Sequence, residues 1–200
     1  MEDSLKSLAK EIQKAESDSV RLLINKLFQA TLNQTLFVEG SFEYPFDSIK
    51  TLTTLTSPDK KFRIYNWNLP KDNGTNIYYG YIQLNLKGNL DAVYDLNDCS
   101  DSIRQPEVTL LDNHSWFGSL YYEIILTTFK NQKFYTLLGL DGLNSQLTQK
   151  VIDVLYFDNE NHPHFGAKIF KNYGNGQVCR VLFKYSSAAL MLLILKEESN

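Results

Sequence analysis

Trp116-Phe-Gly-Ser-Leu-Tyr-Tyr-Glu-Ile-Ile-Leu-Thr-Thr-Phe129 is followed by Lys130-Asn-Gln132 and then by Lys133-Phe-Tyr-Thr-Leu-Leu-Gly-Leu140. Aromatic and β-branched residues crowd both flanks, and the short polar piece between them suits a hairpin loop. Two antiparallel strands are therefore expected here, and the same grammar extends both ways. Downstream, Asp141-Gly142 opens a polar loop through Gln149, and Val151 to Phe157 reads as a strand. Asp158 to Pro163 reads as a turn, Phe165 to Phe170 as a strand, Lys171 to Gly176 as a turn, and Val178 to Tyr185 as the last clear strand. Upstream, strands are expected from about Phe37. Ser57-Pro58-Asp59-Lys60 and Lys71-Asp72-Asn73-Gly74 are turns, because Pro presets φ and Asp bonds its own backbone. Strands fall at Phe62 to Trp67, Ile77 to Leu86 and Leu90 to Tyr94, the last two joined by Lys87-Gly88-Asn89. Strands at this spacing predict an antiparallel meander that curls into a half-barrel or sandwich.

The N-terminal residues follow another period. Leu5, Leu8, Ile12 and Ala15 share one helical face, with Lys6, Lys10, Glu11 and Lys14 opposite. Glu2 and Asp3 place negative charge where a helix dipole favours it. The pattern resumes at Val20, Leu23, Ile24, Leu27 and Phe28 and fades at Asn33. Ser17-Asp18-Ser19 suits either the N-cap of a second helix or a polar turn of one long helix, and two helices broken at Asp18 is the preferred reading. The stripe is too short for a coiled coil and is expected to pack on the sheet. The fold class is thus α+β, with N-terminal amphipathic helices on an antiparallel, meander-type sheet. A chain of 200 residues fits one domain: helical over 1–35, β-rich over 36–187, and a tail over 188–200. Ala188 to Leu195 is apolar without clear alternation and stops against Lys196-Glu197-Glu198, as a final strand or as a tail whose partners lie beyond it.

Composition excludes several classes. At 43% hydrophobic and 22% charged the chain is too apolar to be disordered. Its net charge of −3, with signs interspersed, lacks the basic face of a nucleic-acid binder. The densest basic clusters, Lys60-Lys61-Phe62-Arg63 and the Lys168/Lys171 pair, read as solvated hairpin edges. Cys99 and Cys179 would pair only if the fold brought their α-carbons within about 7 Å. Met1-Glu2-Asp3-Ser4 has no signal-peptide pattern, and the apolar run at 188–195 is far short of a membrane span.

Each candidate for chemistry has a plainer structural reading. His162-Pro163-His164, near Asp158 and Glu160, would put two imidazoles on one strand face, yet zinc recruits a third or fourth ligand and a hairpin loop explains the segment. Asp141-Gly142-Leu143-Asn144-Ser145 lacks the offsets of a calcium loop. Gly118-Ser119 lies inside an aromatic strand and has no nucleophile elbow around it. Cys99 with His114 is a conceivable dyad, but Asp98 and Asp101 ring the thiol. Asp91/Asp95 and Glu123/Asp153 are carboxylate pairs of the kind any acidic protein offers. Gly174-Asn175-Gly176 lacks the context of a phosphate cradle. The aromatic surplus is the most informative feature. Trp67, Tyr78, Tyr79, Tyr81, Trp116, Tyr121 and Tyr122 lie on strands, where alternation sends only some of them inwards. They either fill the core or form a binding surface, for which Trp67, Tyr79, Trp116 and Tyr122 are the candidates.

Several blocks carry a resemblance. Thr56-Ser-Pro-Asp-Lys-Lys-Phe-Arg-Ile-Tyr-Asn-Trp-Asn68, Tyr78-Tyr-Gly-Tyr-Ile-Gln83, Trp116-Phe-Gly-Ser-Leu-Tyr-Tyr-Glu-Ile-Ile125, Tyr135-Thr-Leu-Leu-Gly-Leu-Asp-Gly142 and Lys150-Val-Ile-Asp-Val-Leu155 resemble a family of exported cell-envelope proteins of Gram-negative bacteria that has no assigned activity. The likeness spans roughly residues 20 to 187. Leu140 stands where the family's Gly-Trp-Asp-Gly pattern has Trp, and similar proteins carry further strands at the C-terminus. The resemblance implies a periplasmic or envelope location and one compact domain, and transfers no catalytic residue. The expected function is a non-enzymatic, envelope-associated binding or interaction domain with a protein or glycan partner and no cofactor. The alternatives are a hydrolase acting on a glycan or cell-wall substrate, and a structural scaffold.

Overall fold

The polar break at 17–19 divides the N-terminus into α1 (Glu2–Lys14) and α2 (Asp18–Leu36). Ser17 is the N-cap of the second helix, its side chain accepting from the Val20 N–H, which satisfies one of the donors a helix start leaves open. The computed structural model describes residues 2–86, 92–173 and 176–195. Beyond α2 the chain winds through turns and then forms β1 (Thr53–Thr56), β2 (Phe62–Pro70), β3 (Asn76–Leu84) and β4 (Val93–Asn97), an antiparallel four-stranded meander.

The remaining strands are β5 (Leu111–Asp112), β6 (Leu120–Phe129), β7 (Gln132–Asp141), β8 (Leu147–Phe157), β9 (Pro163–Phe165), β10 (Phe170–Tyr173), β11 (Gly176–Val178) and β12 (Val181–Ser186). Lys130 and Asn131 both take positive φ (47° and 63°), the two-residue mirror-image turn whose twist matches its strands. The second sheet runs β5-β9-β8-β7-β6, with β12 pairing the other half of the β8 edge that β9 occupies. A pure meander therefore describes the first sheet alone.

Alternation sorts the side chains into two cores. Phe62, Ile64, Ile82 and Leu84 of the first sheet meet Tyr135, Leu137, Val151, Leu155 and Phe165 of the second, making a sandwich. Tyr65, Trp67, Leu69 and Tyr81 point the other way and pack on Leu5, Ile12, Phe28, Leu32 and Leu36 of the helices. Three layers result, with the four-stranded sheet in the middle. Its β2 is buried from Phe62 through Trp67 without a break.

Buried polar groups tie the layers together. Trp67 Nε1 donates to Asn25 Oδ1 at 2.8 Å, and Gln83 Nε2 to the Leu36 carbonyl at 2.7 Å. Arg63 Nη1 reaches the carbonyls of Phe42 and Tyr44, each at 2.6 Å, and so staples the turns of 37–52 to β2. In the second sheet Arg180 Nε lies 2.9 Å from Asp153 Oδ2, both side chains fully buried. Tyr121 OH also donates to that oxygen at 3.3 Å, while Trp116 Nε1 donates to Tyr121 OH at 2.9 Å.

Several expectations are corrected. The segment from Phe37 is turns, held by buried Phe42, Phe46, Ile49 and Leu52, and strands begin only at Thr53. On α2, Val20, Leu23 and Leu27 face solvent, Leu23 being 64% exposed; Asn25, Phe28, Leu32 and Leu36 face inwards. The strand expected over Phe165 to Phe170 stops at Phe165, where Gly166 takes φ +85°, and Cys179 lies between β11 and β12. Residues 188–195 form no strand; the Tyr122 hydroxyl of β6 donates to the Leu193 carbonyl at 3.1 Å. The expected turn at Lys87-Gly88-Asn89, the Gly174-Asn175 pair, Asp91 and Lys196-Glu197-Glu198 lie outside the described residues.

Candidate functional site

Because Tyr135, Leu155, Phe157 and Phe165 point into the sandwich, Phe134, Tyr156 and His164 project from the opposite face of the second sheet. Register places them in one row across β7, β8 and β9: Tyr135 faces Leu155, and Tyr156 faces His164. The Tyr156 and His164 rings stack at 5.3 Å, while Phe134 leans on Tyr156 at 5.9 Å and 58°. Tyr156 is thereby fixed from both sides. A groove of about 460 Å³ opens beside Phe134 and Tyr156, lined also by Leu110, Gln132, Asn159 and Lys168. That volume falls in the range of small-molecule sites, roughly 300–1,000 Å³. Neither the Tyr156 hydroxyl nor the Lys168 ammonium has a partner among the described residues.

Asp158 closes one end of the groove. Its Oδ1 accepts the N–H groups of Glu160 (2.9 Å) and His162 (2.8 Å). Its Oδ2 lies 3.3 Å from His162 Nδ1 and 3.2 Å from His164 Nε2. The His162 N–H, with help from His164 and the Glu160 N–H, holds this carboxyl at about 2. The two histidines singled out in the sequence thus converge, but on a single carboxylate oxygen. Among the described residues no three His, Cys, Asp or Glu side chains are placed to hold a metal ion. What the cluster does is brace the β8–β9 hairpin, with His162 edge-on to Tyr94 of the first sheet at 6.1 Å.

The aromatic candidates separate. Trp67 and Trp116 are core residues, 3% and 0% exposed, and present no surface. Tyr79 is half-buried, stacked on Trp67 at 5.6 Å, and lines a second groove of about 420 Å³ between α2 and the β3–β4 edge. Tyr122 lies on the outer face of the second sheet, 37% exposed, with Lys150 Nζ 4.5 Å from its ring centre.

The remaining candidates are structural. Cys99 and Cys179 are free thiols, Cys179 buried and its pKa raised by that burial. Ser119 is fully buried, and a Cβ on Gly118 would lie 2.5 Å from Asp98 Cγ, so glycine there admits the carboxylate. Asp153 belongs to the buried ion pair with Arg180. Arg63 is buried and Lys61 lies over the Phe157 ring, so the basic run at 60–63 is divided between core and edge. Asp141 carries the most perturbed carboxyl. Burial, with the charges of Asp98 and Asp101, pushes it up to about 6 against a hydrogen bond from Tyr78. It is only 5% exposed, which leaves a substrate no approach.

Sequence reasoning missed Phe134 and Tyr156 and gave Lys168 no part in a site. The signal for the first two was present: once Tyr135 and Leu155 are assigned inwards, their neighbours must point out. Lys168 was noticed only as half of a basic pair read as a solvated hairpin edge; its place in the groove depends on the bend at Gly166. No protein-family model, curated protein or solved structure matches the chain.

Proposed function

We propose that the protein is a non-enzymatic, envelope-associated binding module that takes a sugar ring of a glycan into the groove beside Phe134 and Tyr156. The observation that carries this is the aromatic row itself, held by its own stacking and flanked by polar groups, of which the Tyr156 hydroxyl and the Lys168 ammonium have no partner among the described residues. A pyranose has C–H groups on its ring faces and hydroxyls round its rim, so it needs an apolar wall next to a few hydrogen-bonding side chains. Phe134 and Tyr156 supply the wall; Gln132, Asn159 and the Tyr156 hydroxyl supply the partners. The absence of an approach to Asp141 and the full engagement of Asp158 support binding over hydrolysis. The envelope location rests on the family resemblance of the blocks at 56–68 and 116–155.

Titration calorimetry of the purified chain against short glycan fragments tests this, with Tyr156→Ala and Phe134→Ala as variants. Affinity is expected to drop about tenfold or more in either, the loss of one good packing contact. Binding indifferent to both changes, or turnover of the fragment, overturns the reading. A scaffold role is the second reading, favoured by the exposed apolar ridge Val20, Leu23 and Leu27. A solution mass that rises with concentration and reverts in Leu23→Lys would bring it forward.

A further inference from the structure

Resting on the sugar-binding reading, we infer that the groove selects an acidic sugar, a pyranose carrying a ring-borne carboxylate, with Lys168 as its charge partner. Two charged side chains line the groove, Asp158 and Lys168. Asp158 is fully occupied. Two backbone N–H groups bond one oxygen, and two imidazole nitrogens lie at hydrogen-bond distance from the other. Both its oxygens are thus engaged by the β8–β9 hairpin, which ties the carboxylate to the protein.

Lys168 is the reverse case. It is exposed and makes no ion pair among the described residues. Lys168 is therefore the charged group of the groove whose hydrogen-bonding positions are free among the described residues, and an anionic acceptor complements it. A single ammonium matches a carboxylate, whereas a phosphate group is ordinarily cradled by several cations or backbone N–H groups. The aromatic wall asks for a ring. The Tyr156 hydroxyl, Gln132 and Asn159 ask for hydroxyls beside it. A uronic acid carries all three features in one residue.

The experiment is calorimetry on the full chain at low salt with three probes: a short galacturonic acid oligomer, a neutral galactose oligomer of equal length, and uridine monophosphate. The acidic oligomer should bind about tenfold more tightly than the neutral one, the factor one charge-assisted hydrogen bond supplies. Lys168→Gln, at an exposed position where folding is not at stake, should erase that preference. Raising the salt should shrink the preference in the same way. Equal affinity for both oligomers, with loss in Tyr156→Ala, refutes the acidic selection and leaves the sugar site standing. A preference that survives Lys168→Gln refutes the assignment of Lys168. Tightest binding by the nucleotide refutes the acidic sugar as ligand, and failure of both oligomers to bind refutes the site itself.

Discussion

Asp141→Asn should make the protein more stable at neutral and alkaline pH and leave it unchanged in acid. Asp141 sits at the end of β7 with Gln149 Nε2 donating to its Oδ2 at 3.3 Å and the Tyr78 hydroxyl bonded to it. Burial, then the nearby Asp98 and Asp101 charges, raise its pKa from 3.8 to about 6. A group whose folded pKa is raised favours folding while protonated. Its contribution is complete below the unfolded pKa, falls away as pH climbs through the folded one, and is flat beyond. A shift of this size, at about 1.4 kcal/mol per pH unit, withdraws about 3 kcal/mol between roughly pH 4 and pH 6. The side chain is almost closed to solvent, so screening leaves that figure largely intact. Asparagine avoids the loss: its carbonyl keeps the Tyr78 bond, and its amide can serve Gln149 Oε1, which is buried without a partner among the described residues. Urea unfolding of both proteins at about pH 4 and pH 8 measures the effect, with near-equal stability at the first and a gap of about 3 kcal/mol at the second. A gap that is absent at the higher pH, or that widens towards acid, would refute the placement of Asp141 as a buried carboxyl whose ionisation costs stability.

Packing sets the outcome of four further substitutions. Arg180→Leu leaves Asp153 charged and unpaired in the sandwich and should cost about 3–5 kcal/mol in urea unfolding, with part of it restored by adding Asp153→Leu. On α2, Leu23→Ser should stay within about 0.5 kcal/mol of the wild type, while Phe28→Ala should lose about 3–5 kcal/mol; thermal melts read both. Gly118→Ala forces its new methyl against the Asp98 carboxylate, which accepts the Tyr78 N–H, and should cost about 1–3 kcal/mol.

The hairpin around Lys130 and Asn131 and the helix break within Ser17-Asp18-Ser19 were legible because local chemistry decides them: a short polar loop, strand-forming flanks, a capping hydroxyl, although the first strand starts only at Leu120 and Gln132 already belongs to the second. The inward face of α2 was not. Its apolar residues outnumber the places available, and the core takes polar Asn25 in preference to Leu23 because Trp67 needs an acceptor for its indole N–H. The same cause hides part of β2, where Arg63, read with its neighbours as a solvated hairpin edge, is buried on the carbonyls of Phe42 and Tyr44. The site was half legible. His162 and His164 announced a cluster, while its purpose depended on Asp158 lying between them. The groove depended on a register between strands that are separate in sequence, and on a lysine beyond the bend that follows them.

Because β2 contributes Phe62 and Ile64 to one core and Tyr65, Trp67 and Leu69 to the other, the two cores are not independent folding units. Strand formation that satisfies one face necessarily aligns the other, so the helical layer and the sandwich share a single cooperative transition. Amide protons of β2 then exchange with solvent only through global opening, whereas the edges of the second sheet open locally. A lesion beneath the helices is consequently felt at the groove on the far side, as a smaller fraction of molecules with that groove assembled at all.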